Sequence, residues 1–284
     1  MSEQIIDNKD CLAPSEIAHE FSDKIMAKKA QLCFKDIMLL AVAAGAFIAF
    51  GAHGCLTVMT GTTEALGWGF AKFLGGIIFS SGLMMVALTG AELFTGDILM
   101  AFSVFEKKVS ILKLFKCWTL VYIGNFIGAL VLAMLIFYSG AAHSNNDALG
   151  KLALTTAYSK IDLTFLEAFT RGILCNWLVC LAVWMATSSK RVVGKIFAIF
   201  FPITTFVASG YEHSVANMFF IPNGIMMKSI PSVVEVSGLT AEQLSRVSWQ
   251  GFVDNLIPVT LGNIIGAVVF VVLLFWLTYL KKTK

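Results

Sequence analysis

His213 has the clearest capacity for proton or anion chemistry in this sequence. It stands directly after Glu212 in the stretch SGYEHSVAN (209–217), which interrupts a long apolar segment. Imidazole titrates near neutral pH, and a protonated ring nitrogen can donate a hydrogen bond to an anion. A single histidine in an apolar segment is usually a packed core residue, but its position at an interruption favours a role in a pore.

A second interruption, TGAELFTGD (89–97), offers a hydroxyl partner for this imidazole. The Thr95 side chain could orient the ring or contact a permeating ion. Asn176, an uncharged amide in the apolar run ILCNWLVC (173–180), could bind either the ring or the ion. For Asn176, an ordinary hydrogen bond between two helices is an equally good interpretation.

Three carboxylates lie at the same two interruptions: Glu92, Asp97 and Glu212. Ionisable groups at membrane depth are costly and normally face a pore or a partner, so a role in the pore or its gating is one interpretation. The structural alternative is that Glu92 and Glu212 accept hydrogen bonds from backbone freed by the interruption, or bind across a subunit contact. Asp97 would then cap the helix that resumes after Gly96.

Large apolar side chains also flank the interruptions. Around a narrow pore they would form dry constrictions that exclude hydrated ions. The alternative is that each of them packs between helices. The set consists of Phe79, Leu83, Leu93, Phe94 and Phe206.

The elements that carry these residues are predicted to be membrane-spanning helices. The chain is 57% hydrophobic and 14% charged, whereas soluble domains carry about 25% charged residues. We therefore expect an all-α integral membrane protein surrounded by lipid, and the net charge of +3 does not favour nucleic acid as a partner. Apolar segments long enough to cross about 30 Å of hydrocarbon as helices cover 37–59, 70–103, 112–138, 165–187, 196–227 and 253–280.

The two halves of the chain resemble one another. GNFIGA (124–129) in the third segment corresponds to GNIIGA (262–267) in the sixth. GAE (90–92) in the second corresponds to GYE (210–212) in the fifth. With three spans in each half, the two repeats must have opposite topology. An inverted 3+3 repeat with a broken second and fifth helix predicts a site near the membrane midplane.

Basic residues predict the orientation. Fourteen Lys and Arg residues lie in the N-terminal approach, the second and fourth connections and the C-terminus, against four in the other loops. This asymmetry places both termini in the cytoplasm. We expect residues 1–36 to be a cytoplasmic segment, with an amphipathic helix from Pro14 to Lys35 that lies along the membrane or covers a pore mouth. Residues 37–280 would form the channel domain and 281–284 a cytoplasmic tail.

The sequence contains no recognisable catalytic motif. It has no Walker A loop, GxSxG, HExxH or Rossmann glycine-rich turn, and its six cysteines lack metal-ligand spacing. The cysteines are interpreted as small residues compatible with a membrane interior. We expect neither an enzyme nor a bound cofactor or metal ion.

The sequence resembles the formate/nitrite transporter family, and most of all its formate channels. The resemblance covers about residues 14 to 280. It implies an aquaporin-like fold in the inner membrane, a homopentamer with one pore per subunit, and an Ω-shaped loop at about 90–97. It rests on ELFTGD (92–97), RGILCNWLVCLAVWMA (171–186), ASGYEHSVANMF (208–219) and NLIPVTLGNIIGA (255–267).

The resemblance also implies roles for individual residues. His213 matches the central histidine of the family, Thr95 its loop threonine and Asn176 its asparagine partner. Lys160 matches a lysine of the periplasmic vestibule, and Glu212 the glutamate beside the histidine. The hydrophobic constrictions match Phe79, Leu83, Leu93, Phe94 and Phe206.

One departure from the family pattern bears on the permeating anion. The loop reads Thr95-Gly96-Asp97, whereas formate channels typically carry small hydroxyl residues after the threonine, and nitrite and hydrosulfide members often carry glycine there. The long loop 228–252 is more similar to that of formate members. We therefore expect formate foremost, with protonation at His213. The alternatives are a hydrosulfide or nitrite channel, or an H⁺/anion symporter.

Overall fold

The computed structural model describes residues 10–281, in which the regular elements are helices apart from one antiparallel bridge between Cys11 and Ser189. Residues 1–9 and 282–284, which belong to the predicted N-terminal segment and tail, lie outside the described residues. A π-helical turn, Glu20–Ile25, joins α1 (Pro14–His19) to α2 (Met26–Lys29). The remaining helices are α3 Phe34–Met59, α4 Thr62–Leu66, α5 Trp68–Thr89, α6 Phe94–Asp97, α7 Ala101–Phe105, α8 Ile111–Tyr138, α9 Ala148–Ile161, α10 Phe165–Ser188, α11 Val192–Ala208, α12 Ser214–Met227, α13 Pro231–Ser237, α14 Ala241–Arg246 and α15 Trp249–Ala267, the last continued by π-helical turns to Leu280.

Several helices have the length and composition of membrane spans. Two shorter apolar stretches, Phe94–Phe105 and Val192–Ala208, lie within the second predicted segment and at the start of the fifth. The prediction of an all-α protein with several apolar, membrane-length helices is confirmed. Helices long and apolar enough to cross a membrane are Phe34–Met59, Trp68–Thr89, Ile111–Tyr138, Phe165–Ser188 and Trp249–Leu280.

A glycine in the left-handed conformation lies at the end of the helix before each interruption. Non-helical residues separate α5 from α6 and α11 from α12. The first stretch contains Gly90 with φ 75°, and the second contains Gly210 with φ 71°. Glycine adopts this left-handed conformation without the steric cost of a Cβ atom, which makes it the common residue at the end of a helix. The chain therefore leaves the helix at the two matched tripeptides, 90–92 and 210–212.

The matched GNxIGA motifs allow two helix pairs to approach closely. α8 packs on α3, and α15 packs on α10. A Cβ atom added at Gly128 would overlap the carbonyl oxygen of Val42, and one added at Gly266 would overlap that of Ile173. In membranes, helices often pack closely through small residues at their contacts. The two motifs therefore have the same structural role in the two halves.

The N-terminal amphipathic helix is shorter than predicted. It ends at Lys29 rather than Lys35, because Cys33 is extended (φ −72°, ψ 160°) and becomes the N-cap of α3. α3 begins at Phe34 and carries Asp36 in its first turn, where a carboxylate interacts favourably with the helix dipole. The predicted domain boundary after residue 36 therefore falls inside α3.

The apolar face of this N-terminal helix packs on the protein. Phe21 is fully buried, and its ring lies 6.0 Å from that of Phe102 in α7 and 5.6 Å from that of Trp184 in α10. The hydroxyl of Ser103 donates to the carbonyl oxygen of Ser22 over 2.8 Å. These contacts fix the N-terminal helix against α7 and α10.

Short helices occupy connections in which the sequence analysis placed none. They are α4, α9, α13 and α14. α9 is 14 residues long and packs on α12. It matters for the site because Lys160 lies in its last turn.

Candidate functional site

His213 and Thr95 are in direct contact. Nε2 of His213 lies 2.9 Å from Oγ1 of Thr95, and the two residues are 3% and 0% exposed. Thr95 lies in α6, and His213 directly precedes α12. The contact therefore joins the two interruptions, which are 118 residues apart in sequence.

The hydrogen bonds around His213 determine which ring nitrogen carries the hydrogen. The backbone N–H of Ala216 donates to Nδ1 over 3.0 Å, so the imidazole caps the N-terminus of α12. Nδ1 is therefore an acceptor, and in the neutral ring the hydrogen is on Nε2. Nε2 donates to Thr95, whose hydroxyl hydrogen is left for another acceptor. A second proton, on Nδ1, would break the cap.

Asn263 supports the backbone around His213. Its Nδ2 donates to the carbonyl oxygens of Gly172 and Glu212, over 2.9 Å each. Its Oδ1 accepts the N–H of Ser214 over 2.9 Å. All of its bonds are buried, so the side chain compensates backbone groups that the interruption leaves without helical partners.

Asn125 makes the corresponding bonds at the first interruption. Its Nδ2 donates to the carbonyl oxygens of Ala41 and Glu92, over 2.8 and 2.9 Å. Its Oδ1 accepts the N–H of Phe94 over 2.9 Å. The sequence analysis did not single out Asn125 or Asn263. The available signal was their common position as the asparagine of the two GNxIGA motifs.

Lys29 binds two carboxylates at the first interruption. Its Nζ lies 2.7 Å from Oδ1 of Asp97 and 2.9 Å from Oε2 of Glu92, and Oδ2 of Asp97 has no hydrogen-bond partner among the described residues. Burial alone would lower the pKa of the Lys29 ammonium, but the charges of Asp97 and Glu92 outweigh it and raise that pKa. Asp97 is the last residue of α6 and the N-cap of a 3₁₀ turn, Ile98–Met100, but its side chain makes no capping hydrogen bond there.

Glu212 has an equivalent partner at the second interruption. Its Oε1 lies 2.9 Å from Nζ of Lys160, and its Oε2 accepts a 2.6 Å hydrogen bond from Nδ2 of Asn217. Asn255 accepts from Asn217 over 2.7 Å and donates to the carbonyl oxygen of Lys160 over 2.8 Å. Both predicted glutamates are therefore paired with a lysine rather than with free backbone.

Two cavities reach the region of the interruptions. The first, which we call the Asp97 cavity, has a volume of about 260 Å³ and is bounded by the N-terminal helix, α5, the first interruption and α10. The second, the Lys160 cavity, has a volume of about 190 Å³ and is bounded by α3, α5, α9, α10 and the second interruption. Of the predicted site residues, Leu83, Leu93 and Asp97 line the first cavity, and Phe79, Lys160, Phe206, Glu212 and His213 line the second.

Aromatic rings narrow the Lys160 cavity next to the histidine. The ring of Phe79 packs edge-on against Phe206 with a centroid distance of 5.5 Å. Phe206 stacks on the imidazole of His213 at 6.0 Å. Leu83 follows Phe79 by one helical turn and lines the Asp97 cavity. One face of α5 therefore presents an apolar side chain to each cavity in turn.

Phe94 lies away from both cavities, in contrast to its predicted place in a constriction. Its ring centroid is 4.8 Å from Tyr122 and 6.2 Å from Trp118, in an apolar groove between α8 and α15. The reason is local: Leu93 is extended (φ −110°, ψ 122°), and successive side chains of extended backbone point to opposite sides. Leu93 faces the cavity, so Phe94 does not.

Asn176 contacts backbone rather than the imidazole. Its Nδ2 donates to the carbonyl oxygens of Thr95 and Asn263, over 3.2 and 2.8 Å. It is fully buried and lines neither of the two cavities. The interpretation that fits this geometry is a hydrogen bond between helices, which holds the backbone of Thr95 in place.

Two cations of the Lys160 cavity were missed in the sequence analysis. Lys72 extends from α5, and Arg171 from α10. Each lies inside a segment that was predicted to cross the membrane. A basic residue in such a segment is itself an indication of function, and that signal was available in the sequence.

Comparison with known proteins adds independent evidence. The family model for Formate/nitrite transporter matches residues 15–277. The formate channel FocA of Escherichia coli (strain K12) is 39% identical over 276 residues, which is 96% of each chain. A probable formate transporter of Methanothermobacter thermautotrophicus is 41% identical over 265 residues, covering 87% of this chain and 89% of that protein.

A solved structure agrees with the sequence matches. A pentameric formate channel with formate bound superposes with a TM-score of 0.79 at 38% identity, covering 87% of this chain and 98% of that chain. The family resemblance found in the sequence is thereby confirmed.

Proposed function

This chain belongs to the formate/nitrite transporter family, and on that premise we propose that it is a membrane channel for small monovalent anions, foremost formate. The observation that carries the proposal is the Thr95–His213 contact. Leu93, two residues before Thr95, and Gly96, directly after it, line the Asp97 cavity. His213 lines the Lys160 cavity. The contact thus bridges the wall between two cavities, which would be the two halves of one pore.

The proposed architecture has six crossings in an inverted, aquaporin-like 3+3 repeat. α3, α5 with α6, and α8 would form the first half, and α10, α11 with α12, and α15 the second. The equivalent bonds of Asn125 and Asn263 support this arrangement, because each binds a glutamate carbonyl within the interruption of its own half and the first N–H of the helix that follows. In this proposal the second and fifth helices are the broken ones.

The proposed location is the inner membrane, with both termini in the cytoplasm. The concentration of basic residues in the N-terminal approach and two connections supports this orientation. The Asp97 cavity would then open to the cytoplasm and the Lys160 cavity to the outside. Residues 37–280 would be the channel domain, and the N-terminal segment would cover the inner mouth, since Phe21, Met26 and Lys29 line the Asp97 cavity.

We propose a homopentamer embedded in lipid, with a pore in each subunit. The likeness to a pentameric formate channel supports this assembly. So does the apolar groove between α8 and α15, which has a volume of about 540 Å³. Phe94 lies in that groove and would take part in helix or subunit packing instead of the constriction.

The proposed path passes a dry zone made by Phe79, Phe206, Leu83 and Leu93. Burying a bare charge there would cost several kcal/mol or more. The Nε2–H of His213 donates to Thr95, so the hydroxyl hydrogen of Thr95 would be the donor that meets the anion beside that zone. A proton shared with the anion would lower the barrier, because a neutral acid crosses apolar surroundings more easily than its anion.

The remaining predicted residues would shape this path. Asn176 would position the backbone of Thr95 rather than bind the anion. Glu92 and Asp97 would hold the N-terminal segment through Lys29, and Glu212 would hold Lys160 beside the histidine. All of these are structural or gating roles, in keeping with a transporter that performs no catalysis.

We propose formate as the principal permeating anion because two relatives that match most of this chain are described as a formate channel and a probable formate transporter.

The test is uptake by liposomes that contain the purified protein, with formate, nitrite, hydrosulfide, acetate and lactate compared across a pH series. We expect saturable formate uptake faster than that of the other anions and absent from empty liposomes. Faster nitrite or hydrosulfide uptake would overturn the choice of formate. Accumulation of formate against its gradient under a pH gradient would favour the H⁺/anion symporter.

A further inference from the structure

The Lys160 cavity carries more positive charge than its predicted lysine supplies. Its lining includes three cations, Lys72, Lys160 and Arg171, but one carboxylate, Glu212. The other titratable groups that line it are Cys55, Tyr211 and His213. If the cations and Glu212 are ionised, the cavity holds two positive charges in excess.

Lys160 is not the source of that excess. Its Nζ is 2.9 Å from Oε1 of Glu212, with the two side chains 13% and 5% exposed, and it also lies 5.1 Å from the ring centroid of Phe220. When an ammonium is already paired with a buried carboxylate, its electrostatic attraction for a second anion is weak. The attraction of Lys160 for a permeating ion is therefore largely cancelled within the protein.

Lys72 and Arg171 differ from Lys160 because neither forms a salt bridge among the described residues. Both are half-buried, and within residues 10–281 neither side chain makes a hydrogen bond or a salt bridge. The nearest acid along α10 is Glu167, one turn before Arg171. Its Oε2 is occupied by the backbone N–H and the hydroxyl of Thr164, over 2.9 and 2.7 Å. Lys72 and Arg171 thus line the Lys160 cavity with no salt-bridge partner among the described residues.

The position of Lys72 connects this charge with the path. Lys72 and Phe79 are seven residues apart on α5, which places them on one face of the helix about 10 Å apart along its axis. Phe79 belongs to the aromatic pair beside His213. An anion held by Lys72 would therefore be two helical turns from the dry zone.

We propose that Lys72 and Arg171, rather than Lys160, form the anion-capture site of this cavity, and that its ligand is a small planar monocarboxylate or a similar monovalent oxoanion. The planar guanidinium of Arg171 matches such an anion with two parallel donors, while the ammonium of Lys72 adds a point charge. In a cleft with apolar walls, cations of one sign raise the local concentration of anions and their rate of entry. This inference rests on the proposed channel function and specifies where the anion first binds.

The test is the concentration dependence of formate uptake into liposomes at low ionic strength. We expect Lys72→Gln and Arg171→Gln each to raise the half-saturating formate concentration about three-fold, and the double variant about ten-fold, with little change in the maximal rate. Lys72→Arg and Arg171→Lys keep the charge and should stay close to the unmodified protein. At about 1 M salt, where charges are screened beyond roughly 3 Å, the differences should vanish.

Lys151→Gln is the matched control, because it removes one exposed positive charge from α9, which also carries Lys160, without touching the cavity. Size-exclusion chromatography shows whether each variant remains assembled. A double variant that is assembled and saturates at the same formate concentration as the Lys151→Gln control would overturn the capture site while leaving the channel function intact. Unmodified protein that takes up no anion would overturn the channel function, and the capture site with it.

Discussion

Nε2 of His213 lies 2.9 Å from Oγ1 of Thr95, and this single hydrogen bond connects the two matched stretches 89–97 and 209–217. Ala216 holds Nδ1 of the same ring as an acceptor. The imidazole is therefore a donor toward Thr95, and the hydroxyl hydrogen of Thr95 is left for another acceptor, which in our proposal is the permeating anion.

Replacing Thr95 with Val removes the hydroxyl and keeps the shape of the side chain. The Nε2–H of His213 then has no acceptor in a buried site, which costs about 1–3 kcal/mol, and the anion loses its donor. We expect formate uptake to fall about ten-fold, the equivalent of about 1.4 kcal/mol. The control is Thr205→Val, since the Thr205 hydroxyl bonds only the carbonyl oxygen of Phe201 within α11, 2.8 Å away. Equal uptake by the two variants would contradict the role of Thr95.

Loss of Lys29 should destabilise the contact between the N-terminal segment and the first interruption. Lys29→Ala leaves Glu92 and Asp97, both nearly fully buried, without a cation, which typically costs about 3–5 kcal/mol. Adding Asp97→Asn removes one of the two unpaired charges, so the double variant should recover part of the stability lost. Thermal unfolding of the purified protein measures both effects.

Lys24→Ala is the control for this series, because Lys24 pairs with Glu20 at an exposed position, where ion pairs contribute little. A double variant less stable than Lys29→Ala would show that Asp97 and Glu92 do not share the charge of Lys29.

The interruptions could be predicted from the sequence, and many of their contacts could not. Gly90 and Gly210 act locally, so the end of each helix follows from the residues themselves. The direction of Phe94 depends on the extended backbone at Leu93, and its ring therefore lies away from the two cavities beside which it was predicted. The partner of Glu92 is Lys29, 63 residues away, and only the folded chain brings the two together.

The same limit applies to the asparagines. GNFIGA and GNIIGA were recognised as a repeat from the sequence. The close contacts of Gly128 and Gly266 show that glycines of both motifs allow helices to pack closely. The pattern alone does not reveal that Asn125 and Asn263 each bind three backbone groups, because those groups belong to two other segments of the chain.

Replacing Asn263 with Asp tests this backbone support with a side chain of the same size. The new carboxylate oxygen would face the carbonyl oxygens of Gly172 and Glu212, which now accept from Nδ2. Two hydrogen bonds would become repulsions in a buried site, so we expect a loss of more than about 3 kcal/mol and little assembled protein. The yield of oligomer after solubilisation is the measurement. Asn146→Asp, at an exposed turn, is the control, and an Asn263→Asp yield equal to that of this control would refute the assignment.

The most direct test of the central claim is the pH profile of formate uptake by liposomes that contain the unmodified protein, His213→Asn or His213→Phe. Asparagine can still cap α12 through Oδ1, but its side chain is too short to replace the Nε2 contact with Thr95, and it carries no titrating proton. We predict pH-dependent uptake by the unmodified protein, residual uptake without that pH dependence by His213→Asn, and loss of pH-dependent uptake in His213→Phe. A His213→Phe protein with the uptake rate and pH profile of the unmodified channel would contradict the account.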